Sequence, residues 1–333
     1  EAQAAEDAVL VDLDQDGSFD VVSCCEGKRQ AVLVHWAPER SKYLQSSGWK
    51  TEAVPESVGM FRWMYSAPMD VDGDGQVDLL AGGKSNDAEL GWWQVPADAR
   101  DLDSWEWHPL RQVGWLMSLE SVDMDHDGDA DVLFTDRKGD RTGCYWLENP
   151  RRQPADLAQI ASGGGKGDSA QGAQPLWREH LIGVAGREAM FLRRTDLDRD
   201  GLEDVVIAAR PDAIVLCRRL DRTGTRWTAS ELHVPETFGG AKAPNAGDLD
   251  GDGTIDIVFS TEGASQGKMG IGRFQMSKDP FTMPRRLTSI SGVDGVKHDL
   301  IELRDLDADG DLDLLTCEEV RNLGVIWYEN PCR

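Results

Sequence analysis

With 333 residues the chain could form two average domains or one large closed β fold, and its 40% hydrophobic content excludes a disordered polymer. Its 60 Asp and Glu against 35 Lys and Arg leave a net charge of −25, which argues against a nucleic-acid partner and strains any compact state unless cations neutralise it. No apolar run approaches the roughly 18 residues that a membrane-spanning helix needs, and the longest, such as residues 205–209, suit strands.

The chain opens at Glu1 rather than Met, so a leader or upstream segment is expected to have been removed. The first element with a clear signature is an acidic turn, DLDQDGSFDVV from Asp12. It returns as DVDGDGQVDLL from Asp70, DMDHDGDADVL from Asp123, DLDRDGLEDVV from Asp196, DLDGDGTIDIV from Asp248 and DLDADGDLDLL from Asp305. The intervals are 58, 53, 73, 52 and 57 residues, a repeat architecture. Each copy keeps Asp at positions one, three, five and nine and Gly at position six. A hard cation wants six to eight oxygens from a loop that wraps around it, and alternate side chains of such a turn supply them. The expected ligands are Asp12, Asp14, Asp16 and Asp20; Asp70, Asp72, Asp74 and Asp78; Asp123, Asp125, Asp127 and Asp131. The later copies supply Asp196, Asp198, Asp200 and Asp204; Asp248, Asp250, Asp252 and Asp256; Asp305, Asp307, Asp309 and Asp313. About six structural Ca²⁺ would bring −25 to about −13.

An EF-hand needs a bidentate Glu at position twelve and flanking helices, whereas position twelve here is Ser23, Ala81, Phe134, Ile207, Phe259 or Thr316. The ninth Asp is followed instead by an apolar pair such as Val21-Val22 or Leu79-Leu80, which starts a buried strand. A second strand, a polar turn and a third strand follow, the last visible in LGWWQVP, GCYWLENP and GVIWYENP. A fourth strand opens at Trp49, Trp105, Trp177 and Trp227, whose rings are expected to pack between blades. Four antiparallel strands in roughly 55 residues, repeated radially, describe an all-β propeller with one blade per repeat. The Gly-, Ser-, Ala- and Gln-rich segment 151–176 is expected to be a flexible insertion within the third blade, leaving 1–333 a single domain.

The loops, the blade length and the WYENP-like third strands resemble the FG-GAP/VCBS repeat family, including the integrin-type calcium-binding propeller. The resemblance covers nearly the whole chain and implies fold and metal more than function. The sixth repeat stops after its third strand, so the expectation is either a six-bladed propeller with one three-stranded blade or a seven-bladed one whose upstream blade has been removed. The six cysteines, Cys24, Cys25, Cys144, Cys217, Cys317 and Cys332, fit no zinc or haem spacing and are expected to be buried or idle thiols.

The integrin resemblance implies that function uses the end of the strands away from the metal. Six residues past each ninth Asp lie Glu26, Lys84, Arg137, Arg210, Glu262 and Glu319, all charged. Their order suggests a dipolar rim, basic at Lys84, Arg137 and Arg210 and acidic at the Glu residues, suited to an anionic ligand. The first strands add Arg62, Trp63, Trp115, Lys242 and the run Lys297 to Asp299, with Trp63 and Trp115 placed to stack on sugar rings. Trp92, Trp93, Trp146 and Trp327 belong to strand patterns and the core. Enzyme signals are thin, and His298 beside Asp299 is the one candidate for proton transfer. The first reading is a binding or adhesion module for a glycan or protein, secreted, periplasmic or on the cell surface, because extracellular-type calcium sites bind at about 10⁻⁴ to 10⁻³ M. Its rivals are a polysaccharide lyase acting on uronic-acid chains and a scaffold in a larger assembly that receives a closing strand from a partner.

Overall fold

A computed structural model describes residues 4–150 and 176–331. The expected insertion at 151–176 therefore lies, except for Leu176, outside the described residues. The chain is a six-bladed, all-β propeller in which five sheets have four strands and the last has three. The first sheet is β1 (Ala5–Val11), β2 (Asp20–Cys25), β3 (Ala31–Trp36) and β4 (Lys50–Ala53). The second is β5 (Arg62–Met69), β6 (Asp78–Lys84), β7 (Glu89–Gln94) and β8 (Glu106–Gln112), and the third β9 (Leu116–Val122), β10 (Asp131–Asp136), β11 (Gly143–Glu148) and β12 (Arg178–Gly183). The fourth is β13 (Ala189–Thr195), β14 (Asp204–Ala209), β15 (Ala213–Arg219) and β16 (Trp227–His233). The fifth is β17 (Gly240–Gly247), β18 (Asp256–Glu262), β19 (Ile271–Gln275) and β20 (Arg286–Ser289), and the sixth β21 (His298–Arg304), β22 (Asp313–Glu318) and β23 (Gly324–Tyr328).

The ninth Asp of every repeat is the first residue of the second strand: β2, β6, β10, β14, β18 and β22 all open on it. Those strands are covered on both faces, which is why they read as continuous apolar runs such as Val205–Ala209. The fourth strands, at sheet edges, are largely half-buried or exposed and read as polar.

The chain groups into two compact units, Glu1–Phe134 with Lys138–Asp140 and Tyr145–His180, and Thr135–Arg137 with Arg141–Cys144 and Leu181–Arg333. The core of the first is aromatic: Trp63, Trp93 and Trp107 meet with ring centroids 5.0 to 6.3 Å apart. In the second, Leu249, Val258, Ile271, Ile301 and Leu314 form a smaller aliphatic cluster. The tryptophans that precede or open fourth strands work partly through their N–H groups: Trp49 donates to Tyr43 O, Trp105 to Ala99 O and Trp227 to Gly224 O, pinning the turn before the strand.

One core expectation fails. Trp92 and Trp146 are buried and stack on fourth-strand histidines, His108 at 4.6 Å and His180 at 4.3 Å, but Trp327 is 48% exposed. Among the described residues its sheet has no fourth strand to supply that cover.

Candidate functional site: acidic loops and charged strand ends

Each acidic loop joins the first and second strands of its sheet and holds two left-handed residues. Position four has positive φ in all six copies, at Gln15, Gly73, His126, Arg199, Gly251 and Ala308, and position six is Gly with φ between 83° and 100°. A Cβ on Gly17 or Gly75 would touch nothing within 4 Å, so the backbone angle alone demands glycine there. The curl turns carboxylates and N–H groups toward one another. Position-one Asp accepts the N–H of the position-six Gly in every loop, as in Asp12 with Gly17 at 3.0 Å and Asp70 with Gly75 at 3.0 Å.

The ninth Asp is a pin. Its Oδ1 accepts a backbone N–H from the end of the third strand or just beyond it in all six sheets: Ala37, Val95, Asn149, Arg219, Met276 and Asn330, at 2.8 to 3.0 Å. In five loops its Oδ2 accepts the N–H of position two, from Leu13, Val71, Met124, Leu197 and Leu306. Burial pushes the carboxyl of Asp20 up to about 6 and those of Asp78, Asp131 and Asp204 up to about 7.

Ligand-capable oxygens gather within 4.8 Å of one another in Asp12, Asp14 and Asp20, in Asp70, Asp72 and Asp78, in Asp123, Asp125 and Asp127, in Asp196, Asp198 and Asp204, and in Asp248, Asp250 and Asp252. These all-oxygen sets suit a hard divalent cation. The fit has a second mark: Oδ1 of Asp12 and Oδ1 of Asp248 are buried without a hydrogen-bond partner, the state a carboxylate oxygen adopts when its partner is a metal ion.

Two asparagines absent from the sequence-derived site tie successive repeats together. Asn149 Nδ2 donates to Val71 O of the second loop and Ala130 O of the third, both at 3.1 Å. Asn330 Nδ2 repeats the contact, to Leu249 O at 2.7 Å and Leu312 O at 3.1 Å. The signal was the shared Glu-Asn-Pro that ends two third strands.

At the other end of the strands the expected charged residues are present, but they close on one another. In the first unit Lys84 binds Glu26 at 2.5 Å and lies over the half-buried Trp115 ring at 4.5 Å, with Arg62 opposite Lys84 in the register. In the second unit Arg137 reaches Glu188 at 2.9 Å and Glu262 at 3.8 Å. Glu262 also pairs with Arg210 and, at 3.3 Å, with Lys242, while Lys242 pairs with Asp299 and Lys297 with Glu319. Burial lowers the Lys242 ammonium, and a hydrogen bond to Asp299 raises the Glu319 carboxyl. Lys84 with Glu26, and Arg137 and Arg210 with Glu262, expected on opposite halves of a rim, are thus bound partners.

Trp63 is fully buried, donates to Ser57 O at 2.9 Å and packs on Phe61, so its ring is closed to a sugar. His298 is also fully buried: its ring lies where a Cβ on Gly270 or Gly295 would fall, its Nε2 is 3.2 Å from Asp294 O, and burial lowers its pKa, so it is shielded from any substrate proton. Cys24 and Cys217 are buried, which raises both thiols, that of Cys217 to about 12.

The FG-GAP-like repeat family matches residues 70–134 and 196–259, two stretches that each run from one acidic loop through the next one and into the second strand of the following sheet. These two stretches carry FG-GAP-like repeats. An Agrocybe aegerita lectin that recognises non-reducing terminal N-acetylglucosamine is similar at 17% identity, with 86% of this chain and 66% of that one covered and a TM-score of 0.41. The V. cholerae biofilm matrix protein Bap1 is similar at 12% identity, with 89% of this chain and 41% of that one covered and a TM-score of 0.45. The chain therefore spans less than two thirds of the length of either. No curated protein matches it. The acidic triads are consistent with calcium sites, and among the described residues no helix is long and apolar enough to cross a membrane.

Proposed function

We propose that the protein is a calcium-stabilised binding or adhesion module working outside the cytoplasm, with a glycan or a protein as its partner. The observation that carries this reading is the same curled acidic loop at one end of all six sheets, with carboxylate oxygens of Asp12 and Asp248 buried and lacking any protein donor. Calcium at the four Asp of each loop would fix the hairpin between first and second strands and relieve the crowding of like charges. The ions are structural in this reading, since the loop carboxylates are turned into the turn and onto its own N–H groups. The partner surface falls to the opposite strand ends, with Arg62, Lys84 and Glu26 in the first unit and Arg137, Arg210, Lys242, Glu262 and Glu319 in the second. Calcium sites of the extracellular class fill at about 10⁻⁴ to 10⁻³ M, which favours a location beyond the cytosol.

A glycan array run with calcium and with EDTA tests it. Binding is expected with calcium and lost with EDTA, together with a fall in melting temperature. The triple change Lys84→Glu, Arg137→Glu and Arg210→Glu, its folding checked by the calcium-saturated melt, is expected to abolish binding. A melt indifferent to EDTA would remove the calcium reading, unaltered binding by the triple variant would remove the proposed surface, and new absorbance from unsaturated uronate in an acidic polysaccharide would replace binding by lyase chemistry.

A further inference from the structure

The fifth acidic loop is wired unlike the others. Its ninth Asp, Asp256, does not use Oδ2 on the N–H of position two; that oxygen accepts Arg273 Nε at 3.0 Å and the same guanidinium's terminal nitrogen. Arg273 also reaches Asp250 Oδ2 at 2.8 Å, an oxygen that accepts Gln275 Nε2 at 2.6 Å as well. Arg285, at the loop's outer edge, pairs with Asp252 at 3.1 Å. Three of the four loop carboxylates thus face guanidinium groups.

The strand register carries the same message independently. The residue paired with the second position after the ninth Asp is Val34, Trp92, Leu216 and Trp327 in the first, second, fourth and sixth sheets, and Arg273 in the fifth. A position that is otherwise apolar therefore holds a cation 17% exposed, and such a group is tolerated only when paired and hydrogen-bonded. Its planar fork spans two carboxylates at once, which a lysine ammonium does less well. Asp248 Oδ1 alone stays buried without a hydrogen-bond partner, so the loop keeps a residual demand for a cation.

We propose that Arg273 is a built-in cation of the fifth loop, holding that turn closed without calcium and making it the weakest calcium site of the six. The inference rests on the calcium reading above. A divalent ion entering the fifth loop would meet a nearby positive charge and a carboxylate already committed, two costs that weaken binding.

The test is calcium titration by equilibrium dialysis and calorimetry on the full chain, with melting measured in EDTA. The wild-type isotherm is expected to contain one equivalent at least tenfold weaker than the rest. Arg273→Gln is expected to tighten that equivalent tenfold or more in calcium while lowering the melting temperature in EDTA below that of wild type, and Arg273→Lys is expected to keep the weak equivalent. Six equivalents alike in the wild type would overturn the inference with no variant needed, as would an Arg273→Gln protein that folds and leaves the weak equivalent unchanged. Complete absence of calcium binding would instead sink the calcium reading itself.

Discussion

Glu318 illustrates what a single carboxylate does in this chain. It is 2% exposed, and its two oxygens accept the N–H groups of Val296, Lys297, Val320, Arg321 and Leu323, gathering two stretches of loop beside β22. Burial alone would raise its pKa, yet those donors outweigh it and hold the carboxyl below its ordinary value of 4.5. A lowered folded pKa gives stability that is fully present above the unfolded value, near 4.5, and is lost as pH falls through the folded value. Glu318→Gln is therefore expected to cost about 2–4 kcal/mol at pH 7. In urea melts the gap from wild type should narrow below pH 4.5; a gap that is constant with pH would show that charge has no part in it. This residue was not legible in advance. Counting from the ninth Asp picked out its neighbour Glu319, because sequence position marks where a turn falls but not which carboxylate points into it. Trp63 failed for the same reason: its place on the first strand was right, its direction was inward.

At the scale of elements the repeat was legible because its physics is local. Four Asp and a Gly at fixed spacing specify a curled turn, and the apolar pair after the ninth Asp specifies the strand, so every second strand begins where that motif places it. The three strands of the sixth sheet were equally visible, each marked by its place around the Asp305 loop or by the GVIWYENP run. The ties between repeats were less so: Asn149 and Val71 are 78 residues apart, and nothing in spacing says that a side-chain amide bridges them. Asn149→Ala removes donors from two carbonyls, Val71 O and Ala130 O, and leaves them without that partner. The expected loss is about 1–3 kcal/mol, read as a lower urea midpoint with an unchanged slope. Asn330→Ala should behave alike through Leu249 O and Leu312 O. An Asn149→Ala protein as stable as wild type would mean that the inter-repeat bond is incidental and that packing alone carries the junction.

For the whole molecule, the decisive quantity is net charge. At −25 the folded chain crowds carboxylates into six loops, a concentration of like charge that the unfolded chain can spread apart. Basic side chains answer only part of it: Arg100 sits on Asp14 at 2.5 Å and Arg218 on Asp198 at 2.6 Å, beside Arg273 in the fifth loop. Mobile ions can supply some of the rest, because screening shortens from about 30 Å at 0.01 M salt to about 3 Å at 1 M. In EDTA the melting temperature is therefore expected to rise as sodium chloride is raised from about 0.02 M to about 0.5 M, since screening weakens repulsion more in the compact state. With calcium saturating the loops the loop charge is about halved at short range, and the same salt series should raise the melting temperature much less. Because the two series differ only in bound divalent ion, their divergence isolates loop repulsion from general salt effects on the core. Parallel salt curves in EDTA and in calcium would mean that the six acidic turns are not where the strain resides.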